Sequence, residues 1–114
     1  MSEINFPFGA ADLQTETNPT GTTAITVSNS KTIVVLDEPS GAVSLDITAD
    51  DELPIGAELI IDCPQSATGR DVTFNSGAVG AGITGVANDR DVVTLVYNGT
   101  TFLQTRVEKI VDAA

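Results

Sequence analysis

The segment DVVTLVYNGTTFLQTRV, residues 91–107, decides how the chain is read. Strand-forming residues flank Asn98-Gly99, and a type I′ turn needs φ > 0 at both central positions, which Gly adopts freely and Asn tolerates. The segment therefore predicts an antiparallel hairpin. A two-residue loop sets Tyr97 opposite Thr100 and Leu95 opposite Phe102, whereas a four-residue loop sets Tyr97 opposite Phe102 and Leu95 opposite Gln104. Both registers place Val93, Leu95, Tyr97 and Phe102 on one side, because they differ by an even shift and side chains alternate with a period of two. That side is the expected core. The other side carries Thr94, Val96, Leu103 and Thr105, less polar than a free sheet surface. Val96 and Leu103 are therefore candidate interface residues, to be covered by another element or a neighbouring chain.

Outward from the hairpin, short segments rich in Val, Ile and Thr alternate with turn residues. TTAITV (22–27) puts Thr23, Ile25 and Val27 on one side, and KTIVVLD (31–37) follows the turn at Ser28-Asn29-Ser30. After Glu38-Pro39-Ser40-Gly41, AVSLDIT (42–48) alternates Val43, Leu45 and Ile47 with Ser44, Asp46 and Thr48, which excludes a helix there. AELIID (57–62) and RDVTFN (70–75) continue the series, the latter burying Val72 and Phe74. Residues 76–90, with Gly77, Gly80, Gly82 and Gly85, predict an irregular connection or a glycine-kinked edge strand, with a short strand around Ile83. VEKIVDAA is either a frayed end or one last strand. No segment has a helical face and no exact repeat is visible. The expected fold is all-β: a small sandwich or jelly-roll-like domain of seven or eight antiparallel strands over residues 22–114.

Residues 1–21 show neither helical nor strand periodicity and read as an extended N-terminal arm. Phe6-Pro7-Phe8 presents two rings on a backbone stiffened by proline, so Ile4, Phe6 and Phe8 are the candidate docking residues. The N-terminus has no basic, then apolar, leader pattern, and no apolar run reaches the length of a membrane span, so the expected site of synthesis is the cytoplasm.

A chain of 114 residues is one domain by length. Its formal charge of −11, from 16 acidic and 5 basic residues, repels phosphate backbones and anionic lipid, which argues against nucleic-acid and membrane partners. The single Cys63 cannot form an intramolecular disulfide and is expected as a buried apolar side chain at a strand end. The absence of histidine removes Ser-His and Cys-His nucleophiles and imidazole metal sites. With no Trp and one Tyr, a sugar-cleaving carboxylate pair lacks the usual aromatic cleft, and no enzymatic activity is expected. Asp50, Asp51 and Glu52 are the first carboxylates to consider for calcium, although they follow no calcium-loop spacing. Phosphate-cradling glycine motifs are absent, and no cofactor is expected.

GAVSLDIT, PIGAELIIDCPQSATGRDVTFNSG, a glycine-rich ITG segment and DRDVVTLVYNGTTFLQT together resemble small β-modules of tailed-bacteriophage virions: capsid decoration (auxiliary or cement) proteins, and head-fibre and tail-fibre modules. The resemblance covers roughly residues 41–105. It rests on Gly56, Leu59 and Ile61 paired with Val93, Leu95, Tyr97, Asn98, Gly99, Thr100 and Phe102, with Phe102 where the pattern has Trp. It implies a structural virion protein, trimeric, bound to the major capsid protein on the shell exterior and stabilising the shell by bridging its subunits. The alternative it implies is a head-fibre or tail-fibre module that binds a receptor or carbohydrate.

Overall fold

The computed structural model describes residues 11–111. Among them the chain is all-β, with no helix: β1 (Asp12–Thr17), β2 (Gly21–Val27), β3 (Lys31–Asp37), β4 (Val43–Ala49), β5 (Glu58–Pro64), β6 (Val72–Ser76), β7 (Ala78–Val79), β8 (Asp89–Tyr97) and β9 (Phe102–Val111). They form two sheets, one of six strands in the order β1-β3-β5-β8-β9-β7 and one of three in the order β2-β4-β6. The sandwich architecture matches the sequence reading at this level. The strand directions do not: β1-β3, β3-β5, β2-β4 and β4-β6 all pair parallel. Only β5-β8 and β8-β9 are antiparallel among the long pairs.

The parallel pairing has a simple cause. From β1 to β6 each strand crosses to the opposite sheet before the chain returns, so the turns expected to close hairpins are corners of a three-coil parallel winding. Parallel neighbours need a crossover of about a dozen residues or more, and here each crossover contains a strand of the other sheet. The inward faces are the same in either arrangement. Val43, Leu45 and Ile47 of β4, Ile25 and Val27 of β2, Val34 and Leu36 of β3, and Leu59 and Ile61 of β5 are all buried in one core.

The corners stack. Asn18 N–H donates to the Asp37 carbonyl at 2.8 Å, Glu38 N–H donates to the Pro64 carbonyl at 3.0 Å, and Ser40 N–H donates to the Pro19 carbonyl at 3.0 Å. Asn18 and Glu38 share a left-handed conformation, φ 47° and 49°, each followed by a buried proline. Asn18-Pro19-Thr20-Gly21 and Glu38-Pro39-Ser40-Gly41 are thus the same corner one coil apart, a degenerate repeat that a search for exact repetition passes over.

Residues 12–17, part of the expected arm, form β1 in register with Thr32–Asp37. They lack apolar periodicity because β1 is an edge strand whose core-side positions are Asp12, Gln14 and Glu16. The Gln14 amide donates to Asp12 at 3.1 Å and to the Thr26 carbonyl at 2.8 Å. Inward charges on an edge strand discourage further strand addition. The remainder of the arm, with Ile4, Phe6 and Phe8, lies outside the described residues.

The hairpin is present with the four-residue loop: Tyr97 pairs with Phe102 and Leu95 with Gln104. The type I′ turn is not. Gly99 has φ 99°, but Asn98 stays in the ordinary region, because its side-chain oxygen caps the amides of Thr100 (2.9 Å) and Thr101 (2.8 Å). The shift between Thr94 and Leu95 then bulges the opposing strand at Thr105, and β9 runs on through Val111 in place of a frayed end. Ile83 bridges Val72 within the glycine-rich connection.

Two predictions follow from the corners and the connection. Glu38→Asn, which copies Asn18 at the equivalent corner, stabilises the fold by about 0.5–1 kcal/mol in urea denaturation, because Asn tolerates the left-handed region better than Glu. Gly77→Ala destabilises by roughly 2–4 kcal/mol: φ is 82° and a Cβ there meets the Ile47 carbonyl oxygen in the backbone of β4.

Candidate functional site

The outward faces of the two sheets have opposite chemistry. On the three-stranded sheet, Thr22, Ser44 and Thr73 lie in one cross-strand row and Thr26 and Thr48 in another. Asp46 is tied there to Asn75 at 2.7 Å and to Ser76 at 2.9 Å. This face is polar, with Thr22, Thr26, Thr48 and Thr73 exposed.

On the six-stranded sheet one row reads Leu13, Ile33, Ile60, Thr94, Arg106 and the next Thr15, Val35, Asp62, Val92, Glu108. A third joins Glu58, Val96, Leu103 and Val79. The two interface candidates from the sequence, Val96 and Leu103, are direct cross-strand partners in that row. Among the described residues seven large hydrophobics are exposed, and four of them, Leu13 (65%), Val79 (60%), Leu103 (39%) and Ile110 (45%), belong to this one face. The outer sides of β3 and β5 alternate apolar Ile33, Val35 and Ile60 with charged Lys31, Asp37, Glu58 and Asp62. No described element covers them.

The charges on this face are balanced. Among the described residues this face carries three basic residues, Lys31, Arg90 and Arg106, and four acids, Asp37, Glu58, Asp62 and Glu108, a sum of −1, while the whole chain is −11. Arg90 holds Asp62 through two hydrogen bonds, 2.7 and 3.0 Å. Lys31 and Glu58 are 3.8 Å apart and both half exposed, a pair worth little in water.

The inward side of the same sheet holds a different ion pair. Asp91 is 1% exposed and accepts from the Lys109 ammonium at 3.1 and 3.2 Å, beside a groove lined by Ala81, Gly82, Thr84 and Val107. Cys63, its neighbour across β5 and β8, is fully buried as expected. Burial, reinforced by the charges of Asp91 and Asp62, pushes its thiol up to about 12. Gln65 closes this end: its amide donates to the Arg70 carbonyl and its oxygen accepts from Arg70 N–H, both at 2.9 Å.

Asp50, Asp51 and Glu52 do not converge. They are exposed in the turn after β4, where Leu53 N–H donates to the Asp50 carbonyl at 3.0 Å and tucks Leu53 into the core. Among the described residues no group of three or more His, Cys, Asp or Glu is placed to hold a metal ion, so the calcium candidate has no geometric support. No protein-family model, curated protein or solved structure matches the chain. The fold and the face together define a small two-sheet β-domain with one polar and one apolar exterior.

Two measurements check this description. Native protein at pH 8 leaves Cys63 unreacted with a thiol reagent, and unfolding in urea releases one thiol per chain, because a group near 12 has almost no thiolate at pH 8. Lys109→Met destabilises by about 2–4 kcal/mol, since it strands a buried carboxylate, whereas Lys31→Met costs under about 1 kcal/mol.

Proposed function

We propose that the protein is a structural contact module of a tailed-bacteriophage virion, a decoration protein that docks on the capsid exterior and stabilises the shell by bridging its subunits. The observation that carries the reading is the uncovered exterior of the six-stranded sheet, where Leu13, Val79, Leu103 and Ile110 are exposed and Ile33, Val35, Ile60 and Val96 are only half-buried. The resemblance of residues 41–105 to virion β-modules supplies the setting. Rigid coils with a covered core suit a mechanical role, and the strongly acidic remainder of the surface keeps such a protein from adhering to nucleic acid.

A second reading, a fibre module that binds carbohydrate, is favoured by the hydroxyl rows Thr22-Ser44-Thr73 and Thr26-Thr48 on the opposite exterior. Purified protein added to capsids that lack it is expected to bind saturably and to raise the temperature of shell rupture, and Ile60→Asp is expected to abolish both. Failure to bind any such particle, combined with specific glycan binding lost in Ser44→Ala, would replace the first reading with the second.

A further inference from the structure

We infer that the free edge of β9, residues 105–111, is a strand-addition site that takes an extended segment of a different polypeptide, with one of its apolar side chains seated in the groove beside Val107. The site lies on the edge and inward side of the six-stranded sheet, apart from the exterior assigned to the capsid, and it does not depend on that assignment.

The ladder decides which backbone groups are free. Along β8 the N–H and C=O groups of the odd-numbered residues point toward β5, as two bonds at its ends show: Gln65 N–H donates to the Asp89 carbonyl at 2.8 Å and Tyr97 N–H to the Ala57 carbonyl at 2.9 Å. The even-numbered residues therefore bond β9, through the pairs Arg90–Ile110, Val92–Glu108 and Thr94–Arg106. In β9 this directs the N–H and C=O of Val107, Lys109 and Val111 away from β8. At the start of the strand the corresponding groups are used, since Phe102 N–H donates to the Gly77 carbonyl at 3.0 Å and β7 pairs with Phe102 and Leu103. β7 ends at Val79, and among the described residues no strand pairs the edge beyond it.

Edges that must stay unpaired carry proline, an inward charge or a cover. β1, the opposite edge of the sheet, turns Asp12, Gln14 and Glu16 inward. The edge of β9 has no proline, its inward Val107 is 48% exposed, and its inward Lys109 is neutralised by Asp91 at 3.1 Å. A row of alternating donors and acceptors is satisfied in series only by another extended backbone, so the occupant is a polypeptide strand. Its side chains alternate, and those on the inward side fall over the groove lined by Ala81, Gly82, Thr84 and Val107, which suits an apolar residue. Charge narrows the choice further. Arg106 and Lys109 against Glu108 and Asp91 sum to zero in a chain of −11, so the edge favours a segment without excess charge. A second copy of the chain, itself at −11, is repelled on approach.

Nuclear magnetic resonance titration of the full chain is the test, with three acetylated and amidated octapeptides that alternate threonine with valine, leucine or phenylalanine. At least one is expected to bind with a Kd of roughly 0.1–1 mM, shifting amides in residues 81–84 and slowing hydrogen exchange at Val107, Lys109 and Val111. The same peptide N-methylated at alternate residues, on the side that faces β9, is expected to bind on the order of tenfold more weakly. Val107→Lys keeps every backbone group and sets a charge over the groove, so it is expected to weaken binding by on the order of tenfold as well. Leu103→Lys, on the exterior assigned to the capsid, is expected to leave peptide binding unchanged. Circular dichroism melts check that both variants remain folded. Absence of binding by all three peptides up to about 2 mM overturns the inference. So does equal binding of the N-methylated peptide, or binding lost in Leu103→Lys and kept in Val107→Lys. Slowed exchange at the same amides that grows with protein concentration in the absence of peptide also overturns it, by making a second copy the occupant. Binding that appears only after removal of residues 1–10 overturns it in favour of that segment.

Discussion

The hydrogen bonds from Asn18 N–H to the Asp37 carbonyl and from Glu38 N–H to the Pro64 carbonyl hold one coil of the chain on the next. They set the architecture because a corner that stacks on its successor sends the following strand into the opposite sheet and forbids it from turning back on its neighbour. Once the corners are stacked, strands in each sheet run parallel, and inward side chains of successive coils fall into register. Ile33 sits beside Ile60 on the exterior, and Val34 beside Ile61 in the core. Each corner accepts a left-handed residue to make this connection. Asn18 meets that requirement cheaply and Glu38 does not.

The coil ends where the chemistry changes. β8 joins β5 antiparallel, β9 folds back on β8, and this hairpin widens the first sheet beyond the reach of the three-stranded one. The extra width has two consequences. Inside, the Asp91–Lys109 pair and the glycine-rich connection fill the space that the second sheet leaves open. Outside, Val96 and Leu103 extend the apolar surface begun by Ile33 and Ile60. An exterior with exposed Leu13, Val79, Leu103 and Ile110 opposite a hydroxyl-rich one gives the domain two chemically different sides. This is the feature on which the proposed structural role rests.

A good deal of this was legible in the residues. Strict alternation in β4 and the composition of β3, β5 and β8 predict strands with the correct inward faces, since a pleated strand repeats every two residues whatever it pairs with. The burial of Cys63, Val93, Leu95 and Phe102 and the outward position of Val96 and Leu103 follow from the same rule. Asn98-Gly99 predicts the turn but not its type, because the Asn98 side chain had an alternative hydrogen-bonding role that the dipeptide alone does not reveal. β1 left no periodic signal, since an edge strand can turn Asp12, Gln14 and Glu16 toward the core without burying them fully.

The sequence by itself determined that the chain is made of strands, which side chains point inward, and that the surface is strongly acidic. Those properties are local, or sums over residues. Only the tertiary structure decided that neighbouring strands run parallel, that the turns are stacked corners, and that three of the five basic residues gather on one apolar exterior. Strand direction and face composition depend on which distant segments pair, and a two-residue period carries the same inward pattern for either direction of pairing.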